Sequence, residues 1–199
     1  GCDKDDDDSN KGNLPPKEVL QAFNTKYPNA QDISWENNGG YYIAEFTNSS
    51  VETDAWFSEQ GIWTMSKEST TYNQLPPVVS TAFKNSSYAN WKIDDCYFIQ
   101  RESLASIYKI EVESNNQEND LYYTEYGNLI KVVNDNNDNN EDTPLIVPAK
   151  VIDMVNLTFA GSIIVDLQQN AKGYELDLLD KTVYKIVQLN AEYFWQSTT

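Results

Sequence analysis

A proline-led pattern that recurs three times constrains the fold of this chain more than any other feature. The three starts are Leu14-Pro15-Pro16, Leu75-Pro76-Pro77 and, more weakly, Val147-Pro148-Ala149. An apolar trio follows each start: Val19, Ala22 and Phe23; then Val79, Ala82 and Phe83; then Val151, Met154 and Val155. Spacing of i, i+3 and i+4 places each trio on one stripe of a helix. Because proline suits the first turn of a helix, the pattern predicts three short amphipathic helices.

Alternating strands follow each predicted helix. Residues 42–46, 108–112 and 174–178 alternate apolar with polar or mixed side chains, which is the period of a half-buried antiparallel strand. Residues 54–61 and 120–127 also match, and each ends in a glycine suited to a tight turn. The third copy is degenerate, with strands expected at 181–189 and 193–195. The sequence therefore predicts an α+β fold of repeated helix-plus-four-antiparallel-strand units, with the helices packed on one face of the sheet.

Composition divides the chain into five parts. Residues 1–13 form a polar tether, and 14–68 and 75–134 form the first and second repeats. Residues 134–144 form an Asn/Asp-rich linker, and 145–199 form the degenerate third repeat.

The N-terminal residues indicate where the protein is targeted. Cys2 is followed by five aspartates and one lysine in residues 3–8. This run resembles the export signal of surface lipoproteins in Bacteroidetes-type bacteria, and the resemblance implies that Cys2 is lipidated. The alternative is a solvated acidic tail. The lipoprotein interpretation places the chain in the cell envelope as an outer-membrane lipoprotein, periplasmic or surface-exposed, that meets the membrane only through this anchor.

The helix starts, the Val/Ala/Phe stripe and two hairpins together resemble a known family. The hairpins are Trp-Phe-Ser-Glu-Gln-Gly at 56–61 and Tyr-Tyr-Thr-Glu-Tyr-Gly at 122–127. The pattern is similar to the PepSY-like family, whose domains are related to the β-lactamase inhibitor protein fold. The resemblance covers 14–134 well and 145–197 poorly. It implies binding or inhibition and carries over no catalytic residue.

Composition excludes most enzyme classes. The chain has 199 residues and no histidine, which removes Ser-His-Asp and Cys-His catalysis and His-ligated zinc or haem. It has 14 basic and 31 acidic residues, a net charge of −17, so nucleic acid is not an expected partner. We therefore expect no enzyme activity and no cofactor.

No metal site is predicted either. Asp135-x-Asn137-x-Asn139 imitates the start of a calcium loop, but Asn140 stands where glycine is needed and Ile146 where a bidentate glutamate is required. Glu59 and Glu125 fall at equivalent hairpin turns, where exposure explains them without catalysis. Cys96 lies on a predicted strand and is expected to be a buried, inert thiol.

The aromatic residues are the candidates for function. Tyr42, Ala44, Phe46 and their counterparts are apolar in both repeats, so that face is assigned to the helices. Tyr41, Trp56 and Tyr122 then fall on the opposite face, where large rigid side chains suit an interface. The alternative is that the third repeat or a neighbouring loop buries them.

Two functions follow from these residues. The first is a lipid-anchored, inhibitor-like protein that captures a protein or peptide on an open sheet face, with acidic rims selecting a basic partner. The alternative is a carbohydrate-binding accessory protein at the cell surface, in which the same aromatic rings stack on sugars and contact a glycan.

Overall fold

The computed structural model of the protein describes residues 14–136 and 142–199, which contain three α-helices and twelve strands paired antiparallel. This confirms the predicted α+β class. Cys2, the tether 1–13 and the middle of the linker, with Asn137 and Asn139, lie outside the described residues. The chain divides into two compact units, the first ending at Glu68 and the second beginning at Ser69.

The first unit holds one helix and four strands. They are α1 (Lys17–Lys26), β1 (Gln31–Asn38), β2 (Tyr41–Asn48), β3 (Val51–Ser58) and β4 (Trp63–Thr70). Each strand pairs with the next along the chain. Val19 and Phe23 on α1 are buried against Ala44, Phe46 and Phe57 of the sheet. The predicted stripe therefore covers the predicted face.

The second unit begins with an equivalent order of elements. They are α2 (Pro77–Lys84), β5 (Lys92–Arg101), β6 (Ile107–Ser114), β7 (Gln117–Thr124) and β8 (Leu129–Asn134). The strands again pair consecutively. Val79 and Phe83 pack on Ile110, Leu121 and Tyr123, so the face assigned to the helix is confirmed here too.

The second unit ends with a further helix and a four-stranded sheet. They are α3 (Ala149–Thr158), β9 (Ile163–Asn170), β10 (Gly173–Asp180), β11 (Val183–Leu189) and β12 (Trp195–Thr198), with strand order β12-β11-β10-β9. Val151 and Val155 are buried against Leu176, Leu178 and Val187. The last strand begins at Trp195, two residues later than the sequence predicts.

Proline stands at the start of every helix, as predicted. Pro16, Pro76 and Pro148 directly precede the first helical residues of α1, α2 and α3. None of the three helices has a side-chain cap at this end. The fixed φ of proline and its missing N–H therefore define these starts.

The two predicted hairpin glycines pack against helix backbones. Gly61 and Gly127 have φ of +82° and +83°, which non-glycine residues rarely adopt. A Cβ at Gly61 would lie 2.6 Å from the carbonyl oxygen of Glu18, and one at Gly127 would lie 2.6 Å from that of Val78. Each turn is thus pressed onto the first part of the preceding helix, and only glycine fits there.

The β5–β6 loop is bonded to β9 within the second unit. The N–H of Ala105 donates to the carbonyl oxygen of Ile164 at 2.9 Å. The Arg101 guanidinium donates to the carbonyl oxygen of Val165 at 2.7 Å and also to that of Ala105. Burial lowers the pKa of Arg101 to about 10, so the group stays charged at neutral pH. These bonds fix β9 against the preceding sheet.

Candidate functional surfaces

The three aromatic residues proposed for binding do not form one exposed patch. Trp56 and Tyr122 are each only 6% exposed, and Tyr41 is half-buried. The expectation of an open face is therefore wrong at Trp56 and Tyr122. All three do lie on strands, and their neighbours Tyr42, Phe57 and Tyr123 face the helices as predicted.

Trp56 lies on the sheet face away from α1, and that face is covered at its position. Its register partners are Ile43 on β2 and Met65 on β4. Met65 is 2% exposed, so burial extends across neighbouring strands. The alternation of a strand identifies which side chains share a face, but it does not tell what covers that face.

Tyr122 is buried by the segment that leads into α3. Its hydroxyl donates to Asp142 Oδ1 at 2.7 Å. The Lys109 ammonium, 3% exposed, donates to Asp142 Oδ2 at 2.8 Å. Burial alone would lower the pKa of Lys109, but Asp142 and Asp120 outweigh it and raise the pKa. The alternative reading, in which a neighbouring loop covers the aromatic side chain, therefore holds at Tyr122.

An acidic cavity lies beside the contacts of Tyr122 and Lys109. It has a volume of about 430 Å³. Val112 and seven carboxylate residues line it: Asp94, Asp95, Glu111, Glu113, Glu118, Asp120 and Asp135. We call it the acidic cavity. Such a concentration of like charges creates a negative potential that attracts cations.

Asp120 is the buried member of the acidic cavity. It is 1% exposed, and its Oδ2 accepts no hydrogen bond. Lys109 Nζ forms an ion pair with Oδ2 at 3.6 Å, but its hydrogen bond goes to Asp142 and it also pairs with Glu111. Burial raises the pKa of Asp120 to about 6; Lys109 opposes this, whereas Asp135 and Glu111 add to it. The carboxylate is thus short of positive charge.

Three carboxylates at the mouth of the acidic cavity converge. One oxygen each from Asp94, Glu113 and Glu118 lies within 4.8 Å of the other two. Glu113 and Glu118 are register partners on β6 and β7. The signal in the sequence was the i, i+2 spacing of acidic residues on two consecutive strands. Loop-type calcium motifs do not contain this spacing, because their ligands come from one continuous segment.

A second candidate surface lies beside α3, where aromatic rings are exposed. Phe194 and Trp195 are 58% and 50% exposed. The Trp195 and Phe159 rings are packed edge to face, with 5.6 Å between their centres. Lys150 Nζ lies 4.2 Å from the centre of the Phe194 ring. We call these four residues the Trp195 surface. Lys150 is the second residue of α3, and Phe159 directly follows its last residue. The surface therefore extends along that helix.

Trp195 also begins the edge strand of its sheet. Strand β12 pairs only with β11 among the described strands, and residues 195–198 are all exposed. The register is irregular between the pairs Gln188–Ser197 and Leu189–Trp195. Such an irregularity disfavours further strand pairing, so the exposed rings rather than the strand edge are the candidate contact element. The sequence predicted an aromatic strand here but not its exposure.

The remaining candidates occupy structural positions. Glu59 and Glu125 are exposed at their hairpin turns, as predicted. Cys96 is 3% exposed and forms no disulfide within the described part of the chain. Burial raises the pKa of the Cys96 thiol to about 11, helped by Asp95 and Glu111. The predicted burial of Cys96 is confirmed, and a thiol with a raised pKa stays protonated at neutral pH.

Comparison with known proteins settles the family. The family described as "Putative beta-lactamase-inhibitor-like, PepSY-like" matches residues 40–131. The crystal structure of a BLIP-like protein from Bacteroides fragilis is 32% identical, with a TM-score of 0.64, over 70% of this chain and 100% of that one. The chain belongs to the PepSY-like, β-lactamase-inhibitor-like family. The resemblance drawn from the helix starts and hairpins is thereby confirmed.

Further similar structures come from the same genus. A DUF2874 family protein from Bacteroides ovatus is 30% identical, with a TM-score of 0.61, over 63% of this chain and 92% of that one. A protein from Bacteroides eggerthii, described as "putative periplasmic", is 25% identical, with a TM-score of 0.59, over 61% of this chain and 89% of that one. No curated protein matches the sequence. In the described ranges, no helix has the length and apolar character needed to cross a membrane.

Proposed function

We propose that this PepSY-like protein is a non-catalytic binding protein of the cell envelope that captures a protein or peptide on the Trp195 surface. The observation that carries the proposal is the pair of adjacent, half-exposed rings of Phe194 and Trp195. Large exposed aromatic side chains that are braced by neighbours are typical of the residues that dominate binding energy at protein interfaces.

Neighbouring side chains pack against the Phe194 and Trp195 rings and hold them in place. Phe159 holds Trp195 edge to face, and the Trp195 indole N–H donates to Thr198 Oγ1 at 2.9 Å. A ring fixed in this way loses little conformational entropy on binding. Tyr41, Trp56 and Tyr122 are replaced in this role, because Trp56 and Tyr122 are buried.

The geometry favours a polypeptide over the carbohydrate alternative. A sugar platform requires an open aromatic face, and Lys150 Nζ lies over the Phe194 ring at 4.2 Å. A polypeptide instead requires an apolar contact area with a polar rim. The net charge of −17 favours a basic partner through long-range attraction.

The finer organisation of the protein is part of this proposal. We infer that 14–68, 75–134 and 145–199 are copies of one helix-plus-four-strand unit, joined in part by the linker 134–144. The equivalent packing of Gly61 on Glu18 and of Gly127 on Val78 supports this for the first two units.

Cys2 would carry the lipid that holds the protein at the outer membrane. The relative described as periplasmic supports an envelope location.

A comparative capture experiment tests the binding surface. The full chain and the variant Phe194→Ala/Trp195→Ala are immobilised and exposed to envelope proteins. The control is Tyr126→Ala, which removes another exposed aromatic ring, 41% exposed, at the β7–β8 hairpin. We expect the wild type and the control to retain the same polypeptide and the double variant to lose it. Circular dichroism checks the fold of every variant.

Two results would overturn the proposal. One is equal retention by the double variant and the control, which would exclude the Trp195 surface. The other is competition by a soluble polysaccharide at the same surface, which would favour the carbohydrate alternative.

A further inference from the structure

The acidic cavity presents carboxylates from three directions, and its lining residues include no cationic side chain. The exposed Lys92 pairs with Asp94 at 3.5 Å, and a bound ion would displace it. Asp94 comes from β5, Glu113 from β6, and Glu118 from β7. Their converging oxygens are at most 4.8 Å apart. Ca²⁺ binds oxygen at about 2.4 Å, so two ligands on opposite sides of one ion are about 4.8 Å apart. Three oxygens 4.8 Å from one another would each lie about 2.8 Å from a common centre, so side-chain shifts of a few tenths of an ångström bring all three to calcium-binding distance.

Asp120 supplies an independent observation deeper in the same cavity. It is almost fully buried, yet its Oδ2 accepts no hydrogen bond. Buried carboxylate oxygens normally have a partner, because desolvation of an unpaired charge is costly. Lys109 Nζ lies 3.6 Å from this oxygen, an ion-pair distance beyond hydrogen-bond reach, and its single positive charge is shared with Glu111 and Asp142. A cation in the cavity would compensate Asp120 together with the three carboxylates at the mouth.

The loop that ends β8 is fixed beside these residues. The N–H of Asp135 donates to the carbonyl oxygen of Glu118 at 2.9 Å. The N–H of Glu118 donates to the side-chain oxygen of Asn136 at 2.7 Å. These bonds hold the Asp135 carboxylate at the rim of the cavity and position the backbone of Glu118.

We propose that the acidic cavity binds a calcium ion through the carboxylates of Asp94, Glu113 and Glu118. Calcium fits better than magnesium for two reasons. Calcium accepts six to eight oxygen ligands in flexible geometry, whereas magnesium demands a near-ideal octahedron at about 2.0–2.1 Å. The cavity of about 430 Å³ also leaves room for waters to complete the larger shell.

The ion would complete the structure of this sheet face rather than perform chemistry. It would neutralise the repulsion between the opposed Glu113 and Glu118 and between them and Asp94. It would also reduce the cost of burying Asp120. Glu113 and Glu118 are not part of the Trp195 surface. Calcium binding in the acidic cavity therefore does not depend on polypeptide capture at that surface.

Calcium titration of two charge-matched variants tests the site. Glu113→Gln/Glu118→Gln removes two cavity carboxylates. Glu59→Gln/Glu125→Gln removes two exposed hairpin carboxylates and changes the net charge equally. Each full-length protein is freed of divalent ions with a chelator. It is then titrated with CaCl₂ by calorimetry at a near-physiological KCl concentration, where diffuse attraction is screened.

We expect one saturable calcium site in the wild type and in the hairpin variant, with an increase in Tm on binding. We expect the cavity variant to bind calcium at least about tenfold more weakly, because it loses two charged ligands. MgCl₂ should bind more weakly than CaCl₂ to the wild type. Circular dichroism in chelator should show all three proteins folded, because the cavity substitutions relieve repulsion.

Two outcomes would overturn the proposal. If the wild type shows no saturable binding, there is no calcium site. If both double variants bind calcium as the wild type does, the interaction is diffuse attraction to the acidic chain. Capture of a polypeptide by the cavity variant would be unaffected in either case, so a failure here is distinguishable from a failure of the proposed function.

Discussion

Glu113 and Glu118 lie directly opposite each other on the antiparallel strands β6 and β7. Like charges in this position repel, and Asp94 brings a third carboxylate within 4.8 Å of them. A sheet designed for stability alone would place opposite charges here. Lys92, the register partner of Glu113 on β5, is the nearby cation, and the proposed calcium ion would compensate the remaining negative charge.

Removing that repulsion should stabilise the protein when divalent cations are absent. We expect Glu113→Gln to raise Tm by about 1–3 °C in chelator at neutral pH, since a like-charged cross-strand pair costs up to about 1 kcal/mol. Differential scanning fluorimetry measures the change, with Glu125→Gln as the exposed control. A lower Tm for Glu113→Gln would show that the carboxylate is engaged by another group.

The protein should become less stable as pH rises from about 4 to 7. Burial raises the pKa of Asp177 to about 7, with Glu175 and Asp166 adding to it and the Tyr184 hydroxyl opposing it. A carboxyl group with a raised pKa binds more protons in the folded state than in the unfolded state, so a rise in pH favours unfolding.

The variant Asp177→Asn separates this residue from the rest of the chain. The substitution should flatten the pH dependence of the free energy of unfolding. It should also raise that free energy by about 1–3 kcal/mol at pH 8 relative to the wild type. Urea denaturation at pH 5 and pH 8 measures this, with Asp153→Asn on the exposed face of α3 as the control. An unchanged slope in Asp177→Asn would contradict the assignment.

The buried ammonium of Lys109 should be essential for folding stability. Lys109→Met would leave Asp142, Asp120 and Glu111 without their shared cation. Removing one member of a buried charge network typically costs about 3–5 kcal/mol. Urea denaturation should show this loss, whereas Lys172→Met on the surface should change stability by less than about 0.5 kcal/mol. A similar small effect at both positions would mean that the network is solvated.

Three glycines with nearly the same backbone angle distinguish conformational strain from packing. Gly127 and Gly61 touch a helix carbonyl oxygen, whereas Gly161, at φ +84°, has nothing within 4 Å of a Cβ. Alanine at Gly161 should cost about 1 kcal/mol from the left-handed conformation alone. Alanine at Gly127 or Gly61 should cost at least about 1 kcal/mol more, because the turn must move off the helix. Equal losses at all three positions, measured by urea denaturation, would contradict the packing argument.

The sequence predicted the local structure well because its signals are local. Spacing around Phe23 and Phe83 defined the helix stripes, and alternation around Ala44 and Ile110 assigned the core face of each sheet. Both depend on residues within one element. The proline starts were equally reliable, because proline fixes its own φ.

The candidate surfaces were predicted less well because they depend on tertiary contacts. Burial of Tyr122 depends on Asp142, twenty positions later in the chain. The acidic cavity brings Asp94 beside Glu118 through strand pairing, which no single segment encodes. The exposure of Trp195 follows from its place on an edge strand, and the sequence alone gave no strand order for that sheet.

Site-specific photocrosslinking tests polypeptide capture at the Trp195 surface most directly. Benzoylphenylalanine replaces Phe194 in one protein and Tyr126 in a control, and each is irradiated in the presence of envelope proteins. Because the Phe194 ring is 58% exposed, the substitution should leave the fold intact. We predict a discrete polypeptide adduct at position 194 and none at position 126. Absence of an adduct at 194, or the same adducts at both positions, would contradict the proposed function.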